Sequence, residues 1–331
     1  MLDLSIIIVS FNTAAMTIRC LKALTDNLKQ SKINTEIIVV DNHSTDNSLQ
    51  QISNYQLLIT NYKNVSLKIV RNQSNLGYSK ANNIGLKQAK GKYILFLNSD
   101  VIIPSLSLRA DPDVSRERRG NLILPLSLRA KRSNLVNSFL DFTQLINYLD
   151  SNPDIGVLTV RVEFSNGDLD PACHRGFPTL WRSFCYYTKL ESVFRSTPML
   201  NRIFGGYHLV NQDLKSIHEV DSPSGAFYLT RKKIVDQIGG FDEQFFMYGE
   251  DLDLSYRIKK SGFKIIFYPD QKVIHHKYQS GLNHASDKTR LQTKKHFHDA
   301  MKIFYDKNIA PNKSTVENKI VYMLIDMKAK L

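Results

Sequence analysis

The sequence predicts an α/β fold in which a mostly parallel central sheet is flanked by helices and followed by a helical C-terminal extension. Short apolar runs alternate with helical patterns through roughly the first hundred residues. Runs that are apolar on both faces of a strand are typical of parallel sheets that helices cover on both sides. After residue 284 the pattern is helical, with ten Lys or Arg against five acidic residues. These observations favour an α/β domain with a basic helical tail.

The predicted elements follow one another in a regular order. β-branched and aromatic residues dominate the strands, and apolar residues recur at helical spacing, as at Leu21, Leu24 and Leu28. The predicted strands are 4–10, 36–40, 67–70, 93–97, 156–164, 224–230, 264–268 and 273–275. The predicted helices are 13–30, 48–55, 79–89, 139–149, 232–238 and 250–261. Residues 184–210 show no readable periodicity.

Composition and charge narrow the class of protein. The 331 residues are 42% hydrophobic and 23% charged, which is typical of a globular chain long enough to bury a core. The net charge of +13 suggests an anionic partner: nucleic acid, acidic lipid or a phosphorylated ligand. Three cysteines without a C-x-x-C pair argue against a disulfide framework. Without a signal peptide or a membrane-spanning run, the predicted location is the cytoplasm or the inner face of its membrane.

The segment 105–136 interrupts the regular pattern. It repeats Leu-Ser-Leu-Arg-Ala at 106–110 and 126–130, and it carries seven Lys or Arg against three acidic residues. A stretch of this length without helical or strand periodicity is unusual inside a compact domain. Two interpretations are open, a functional lid or an inserted, flexible segment. The repeat favours insertion, because it resembles the peptides encoded by mobile palindromic repeats in some bacteria.

Polar residues follow three of the predicted strands, where ligands bind in open parallel sheets. Asp41 ends the second strand and could accept hydrogen bonds from a nucleobase or ribose, or equally begin an Asx turn. Gly77 precedes a helix whose N-terminus suits a phosphate, or it is an ordinary turn glycine. Asp100 ends the fourth strand and suits a hard divalent cation, with His275 as a second ligand.

The densest acidic cluster lies between Asp242 and Asp253. Its five carboxylates stand among aromatic residues, and Glu250 and Asp251 begin a predicted helix. The helix dipole favours ionised carboxylates in the first turn, where one of them could act as a general base. The alternative is N-capping with a surface salt bridge between Asp253 and Arg257.

Taken in order, these motifs resemble the inverting family 2 glycosyltransferases, in particular the rhamnosyltransferase-like branch. The matching segments are SIIIVSFN (5–12), IIVVDNHSTDNS (37–48), NLGYSKANNIG (75–85), YILFLNSD (93–100), SGAFYLTRK (224–232), GGFDEQFFMYGEDLDLSYRIKKSGFK (239–264) and VIHHKYQSG (273–281). The resemblance implies a GT-A fold, a dTDP- or UDP-linked sugar donor and a divalent metal, Mg²⁺ or Mn²⁺.

The resemblance also implies roles for particular residues. Asp251, paired with Glu250, corresponds to the base that deprotonates the acceptor hydroxyl, and Asp100 and His275 correspond to metal ligands. Asn98 replaces the first aspartate of the family's variable D-x-D motif. The residues expected to contact the donor are Ser10, Asn12, Asp41, Asp46, Asn72, Gly77, Asn82 and Asn98.

The expected activity is transfer of a sugar, with rhamnose among the candidates, to a glycan or lipid-linked acceptor in cell-surface polysaccharide synthesis. The expected domain is 1–283, with a nucleotide-binding half 1–104 and an acceptor half 137–283, followed by the extension 284–331. Of the net charge, +4 lies in 105–136 and +5 in the tail. The charge therefore favours contact of the tail with an anionic membrane over nucleic acid. Three alternatives remain: a nucleic-acid binder, a nucleotidyltransferase, and a family member that the insertion disables.

Overall fold

The computed structural model of the protein describes residues 2–60, 62–104, 140–276 and 287–330, apart from the side chains of 287–289 and 330. The predicted insertion at 105–136 lies outside these residues, as do residues 277–281 of the last motif.

The strands and helices follow the predicted order. The strands are β1 (Leu4–Ser10), β2 (Thr35–Asp41), β3 (Val65–Arg71), β4 (Tyr93–Leu97), β5 (Val101–Ile102), β6 (Ile155–Glu163), β7 (His218–Glu219), β8 (Phe227–Arg231) and β9 (Lys264–His275). The helices are α1 (Ala14–Leu28), α2 (Ser48–Leu58), α3 (Tyr78–Gln88), α4 (Phe142–Ser151), α5 (Leu180–Tyr187), α6 (Leu190–Val193), α7 (Pro198–Phe204), α8 (Lys232–Ile238), α9 (Glu250–Lys260), α10 (Asp287–Asn308) and α11 (Thr315–Lys330).

One sheet runs through the described part of the chain, in the order β3-β2-β1-β4-β8-β6-β9-β5, with β7 paired to β9. Strands β1 to β4 run parallel, β6 and β9 run in the same direction, and β5, β7 and β8 are antiparallel to their neighbours. Because β1, β2 and β4 are buried along their whole or nearly whole length, helices must cover both faces. The predicted α/β class with a mostly parallel sheet is confirmed.

The last two predicted strands form one continuous strand, β9. Its register against β6 shifts in the middle: Tyr268 pairs with Val160, whereas the next residue of β6 pairs with Lys272. Pro269 cannot donate a ladder hydrogen bond, so the chain bulges there and then resumes pairing. The bulge carries the strand on to His275, at the edge where the predicted site lies.

Residues 184–210, which show no periodicity in sequence, contain most of three short helices, α5 to α7. These helices are four to eight residues long, too short for a helical repeat to be visible. They bury few residues: Cys185 is the buried residue of α5, and α7 has none. Their apolar side chains therefore point largely outward.

Strand β9 holds both ends of the connection between β5 and α4. Val101 and Ile102 pair with His275 and Ile274. On the other side, the Gln271 side chain accepts a hydrogen bond from the Asp141 backbone N–H at 2.7 Å and donates to Gln144 Oε1 at 2.6 Å. The chain on either side of the predicted insertion is thus attached to one strand.

The C-terminal helices pack on the domain through a second, smaller apolar cluster. Phe245, Ala300 and Phe304 are its buried members, and Tyr256 of α9 contacts it. Helix α11 packs in turn on α10, where Tyr305 donates a hydrogen bond to Asn318 at 2.7 Å. Among the described helices, none combines the length and the apolar character that crossing a bilayer requires.

Candidate active site

The carboxyl ends of β1 and β2 place Ser10 and Asp41 side by side. Asp41 is fully buried, and its Oδ2 accepts a hydrogen bond from the Ser44 backbone N–H at 3.3 Å. Its Oδ1 has no partner among the described residues. A buried carboxylate oxygen without a donor is costly, so this atom marks a place where a ligand N–H or O–H would be stabilising.

Asn12 orders the loop above Asp41. Its backbone is left-handed, with a φ of 53°, and its Oδ1 accepts hydrogen bonds from the N–H groups of Thr45 at 2.7 Å and Asp46 at 3.4 Å. Asp46 in turn accepts from the Ser48 N–H at the start of α2, at 3.0 Å. Ser10 Oγ lies 3.0 Å from Thr17 Oγ1. The residues predicted to contact the sugar donor therefore lie together, and their hydrogen bonds shape this loop.

Asn72 and Gly77 lie next to this region, and both contact other residues of the protein. Asn72 donates to Asn42 Oδ1 at 2.9 Å, and Asn42 donates to Asn75 Oδ1 at 2.8 Å. Gly77 has a φ of 81°, and a Cβ there would lie 2.5 Å from the carbonyl oxygen of Phe246. The space beside Gly77 is thus filled by the backbone of Phe246. The same Phe246 carbonyl accepts a hydrogen bond from the Tyr78 N–H at 2.7 Å.

Two buried asparagines of α3 have different surroundings. Asn82 is buried, and its Oδ1 has no partner within the described chain. Its neighbour Asn83 donates to the Phe241 carbonyl at 2.8 Å and accepts the Phe241 N–H at 2.9 Å. This reciprocal pair fixes the loop before α9 against α3.

The predicted metal ligands lie together at the ends of β5 and β9. His275 Nε2 is 3.3 Å from Asp100 Oδ1, and His275 Nδ1 is 2.9 Å from Asp170 Oδ2. Burial tends to lower the pKa of His275, but hydrogen bonds to the Asp100 and Asp170 carboxylates outweigh it and raise that pKa to about 9. A histidine oriented by a second carboxylate is the usual arrangement of a metal-binding imidazole.

The side chains at this site fit a divalent cation whose remaining ligands come from a diphosphate and from water. Asp100 and His275 would supply two ligand atoms, and Asp170 contacts the other nitrogen of the imidazole. No group of three or more His, Cys, Asp or Glu in the described ranges is arranged to hold a metal ion. Mg²⁺ commonly takes one or two protein carboxylates together with phosphate and water oxygens, which agrees with an incomplete protein set.

Asp251, in the first turn of α9, is held by three donors. The guanidinium of Arg175 lies 3.0 Å from both carboxylate oxygens. The backbone N–H of Gly225 donates to Oδ2 at 3.2 Å, and that of Leu252 donates to Oδ1 at 2.7 Å. Such charge-assisted bonds fix the direction of the carboxylate.

Glu250 has the opposite environment. Its side chain is buried and its Oε2 has no partner in the described part of the chain. Burial, and then the charge of Asp251, raise the pKa of Glu250 to about 8, although Arg175 acts in the other direction. At neutral pH Glu250 is therefore mostly protonated, next to a carboxylate that is paired with Arg175. Neighbouring carboxyls with such different environments are suited to different roles.

Tyr78 and Gly225 lie between Asn98, which is expected to contact the sugar donor, and Asp251. Tyr78 donates to Asn98 Oδ1 at 2.9 Å and lies 3.4 Å from the Gly225 carbonyl. The N–H of the same glycine donates to Asp251. Burial, together with the charges of Glu250 and Asp251, raises the pKa of Tyr78, so it remains a donor. Asn98 and Asp251, both predicted site residues, are thus parts of one structure.

Three side chains of this site are not predicted from the sequence: Tyr78, Asp170 and Arg175. Tyr78 lies within a recognised segment, next to Gly77. Asp170 precedes Pro171 and accepts the Ala172 N–H at 3.1 Å, so locally it has the pattern of a cap. Arg175 is 76 residues from Asp251, and no local pattern reveals their pairing.

The pH dependence of stability should reveal the environment of Glu250. Because its pKa is raised from 4.5 to about 8, the folded state binds more protons than the unfolded state between these values. Stability should therefore fall as the pH rises through that window. We expect Glu250→Gln, which carries no charge, to be more stable than the wild type at pH 9, by roughly 2–4 kcal/mol. The difference should shrink towards pH 4 in urea unfolding curves.

Glu243→Gln is the matched control, because Glu243 is exposed and lies seven positions before Glu250. It should follow the wild-type profile. Parallel pH profiles of Glu250→Gln and the wild type would contradict the raised pKa.

The fold is also found in solved structures of GT-A glycosyltransferases. The mannosyltransferase PcManGT from Pyrobaculum calidifontis, in complex with GDP-Man and Mn²⁺, matches with a TM-score of 0.53 and 14% identity, over 94% of this chain and 66% of that one. GalNAc-T7 with UDP, GalNAc and Mn²⁺ matches with a TM-score of 0.55 and 16% identity, over 92% and 48%. At these identities the likeness shows the GT-A fold.

Two family models match the sequence: Glycosyl transferase family 2 over residues 5–109, and Glycosyltransferase like family 2 over residues 135–293. Together the two matches leave residues 110–134, most of the repeat-containing segment, unmatched. The chain belongs to glycosyltransferase family 2.

Curated relatives are similar over shorter stretches. The N-acetylglucosaminyl-diphospho-decaprenol L-rhamnosyltransferase of Mycobacterium tuberculosis is 46% identical over 64 residues, 19% of this chain and 21% of that protein. The poly(ribitol-phosphate) beta-glucosyltransferase of Bacillus spizizenii is 30% identical over 166 residues, 50% of this chain and 24% of that protein. The chain thus spans about a fifth to a quarter of the length of these relatives.

Proposed function

We propose that the protein is an inverting glycosyltransferase that moves a sugar from a nucleoside-diphosphate donor to a hydroxyl of a glycan or lipid-linked acceptor. The observation that carries the proposal is the set of contacts that runs from Asn98 through Tyr78 and Gly225 to Asp251. It joins the region expected to bind the diphosphate to a carboxylate paired with Arg175, and sugar transfer with inversion requires both a leaving-group site and a base. The names of the two curated relatives support cell-surface polysaccharide synthesis, with rhamnose among the candidate sugars.

The donor half of the proposal rests on Asp41, Asp100 and His275. Asp41 Oδ1, buried and without a described partner, would accept a hydrogen bond from the base of a uridine or thymidine nucleotide. Asp100 and His275 would hold Mg²⁺ or Mn²⁺, which supplies positive charge to the departing diphosphate. Asp170 keeps the imidazole in place for this task.

The acceptor half rests on Asp251. The acceptor hydroxyl attacks the anomeric carbon, its proton passes to the Asp251 carboxylate, and the bond from that carbon to the diphosphate oxygen breaks. Attack opposite the leaving group inverts the configuration. Arg175 holds the Asp251 carboxylate in place, whereas Glu250, mostly protonated at neutral pH, is the weaker candidate for the base. The proposal also includes contact of the basic C-terminal region with an anionic membrane.

Thermal shift with a panel of UDP-, dTDP- and GDP-sugars, each with Mn²⁺ or Mg²⁺, tests the donor assignment. A bound donor at about a hundred times its dissociation constant should raise the Tm by about 5 °C. Asp41→Asn should reduce this shift for the preferred base, because the substituted amide offers a donor where the base needs an acceptor. Asp26→Asn, on α1, is the control. If no donor in the panel raises the Tm of the wild type or of Asp26→Asn, the proposal is contradicted.

A further inference from the structure

The segment from α5 to α7 exposes an unusual number of large apolar side chains. We call them the aromatic surface: Trp181, Phe184, Tyr186, Tyr187, Val193, Met199 and Ile203. Met199 is 81% exposed, and Trp181 is 49% exposed. The Trp181 ring stacks on Phe184, and its N–H donates to the Ile203 carbonyl at 2.9 Å. The stacking contact and the hydrogen bond therefore hold the indole in its exposed position.

Helix α11 continues this exposed apolar area. Ile320, Met323, Leu324 and Met327 recur at positions i, i+3, i+4 and i+7, and each is about half exposed. Lys328 follows this stripe, and its Nζ lies 3.9 Å from the centre of the Tyr187 ring of α5. The stripe and the aromatic surface thus meet at Lys328. An apolar area of this extent marks an interaction site.

The charges around the aromatic surface indicate the partner. Lys189, Arg195 and Arg202 are exposed on the same segment, and none forms a salt bridge with another described residue. The single acidic residue between 180 and 204 is Glu191, which is buried and 2.6 Å from His208. Apolar side chains fringed by basic residues, without opposing acids, are complementary to a bilayer that carries anionic headgroups.

We propose that the aromatic surface and the α11 stripe bind the headgroup region of an anionic membrane. Trp and Tyr side chains prefer this region because each combines an apolar ring with a polar tip. The three exposed cations would lie against lipid phosphates. This assigns the membrane contact to a specific face, which extends beyond the basic tail.

The proposed membrane face lies close to the predicted base. Arg182 of α5 forms a 2.6 Å ion pair with Asp221, whose backbone N–H donates to the Arg175 carbonyl at 3.1 Å. Arg175 is the residue that binds Asp251. This inference rests on the proposed function, which includes a lipid-linked acceptor. On this face the acceptor would lie beside Asp251, the group proposed to accept its proton.

Vesicle flotation of the full chain tests the membrane face without donor or acceptor. Vesicles of phosphatidylglycerol and phosphatidylethanolamine should carry the protein at low salt, and pure phosphatidylcholine vesicles should carry much less. Trp181→Gln with Phe184→Gln should lower partitioning by about tenfold. Leu57→Gln with Leu58→Gln is the matched control, because both leucines are exposed on α2, at 71% and 69%. Arg195→Gln and Arg202→Gln should each cost about fivefold.

The proposal is overturned if the wild-type protein stays with the soluble fraction at low salt, or if the aromatic and control variants float equally. A dimer in lipid-free solution that the aromatic variant dissociates would also overturn it, by identifying a second copy as the occupant. Circular dichroism verifies that each variant is folded. Transfer to a water-soluble acceptor, measured separately, should be unchanged in the aromatic variant, so failure of membrane binding and failure of the proposed function are distinguishable.

Discussion

Replacing Asp251 with Asn should lower kcat by about a thousandfold, within the range typical of general-base removal. The amide cannot take the proton of the acceptor hydroxyl, yet it can still accept the Gly225 N–H bond that holds the wild-type carboxylate. Donor binding should therefore remain within about a factor of three, because the base acts on the acceptor. Steady-state kinetics with the identified donor, together with thermal shift by that donor, separate the two effects.

Asp236→Asn removes the same charge from a more exposed position on α8 and should behave as the wild type. Loss of the Arg175 partner could weaken the fold of Asp251→Asn. The donor-induced thermal shift shows whether the variant is folded, and a folded variant with wild-type turnover would remove Asp251 from the mechanism.

The second large effect is expected at the predicted metal ligands. Asp100→Asn should weaken metal-dependent donor binding by at least about a hundredfold, since it removes one of the two proposed protein ligands. Asp170→Asn should cost about tenfold, because Asp170 orients His275 without being assigned as a ligand. Titration calorimetry with the donor, in Mn²⁺ and in chelator, measures both values.

Asp154→Asn, at an exposed ion pair with Lys264, is the control for this series. In chelator the wild type and the three variants should bind the nucleotide equally. A metal-dependent gain in affinity that survives Asp100→Asn would show that the cation is held elsewhere.

Most of the fold follows from local chemistry. Strands such as β4 are uninterrupted runs of apolar residues, and helices such as α8 end at a glycine whose left-handed conformation stops the helix. These signals depend on neighbours in sequence, and the predicted bounds of β4 and α8 agree with the structure. The continuation of β9 through its bulge, in contrast, depends on the pairing partner β6.

The candidate site is only partly visible in the sequence. Asp41, Asp100 and Asp251 are each marked by their position after a strand or at a helix start. Arg175 and Asp170 act through partners 76 and 105 residues away, so their roles arise only when the sheet assembles. The short helices α5 to α7 are unreadable in the sequence because their exposed apolar residues do not follow the pattern that burial imposes.

The attachment of both β5 and Gln144 to β9 has a thermodynamic consequence for the connection between them. The entropy lost when a chain segment is closed grows only with the logarithm of its length, by about 0.6 kcal/mol for each doubling. With both anchors on a single strand, a longer connection adds little to the cost of folding and applies no force to the anchors. An insertion at this point, which the sequence predicts, would therefore leave the separation of Asp100 and His275 unchanged.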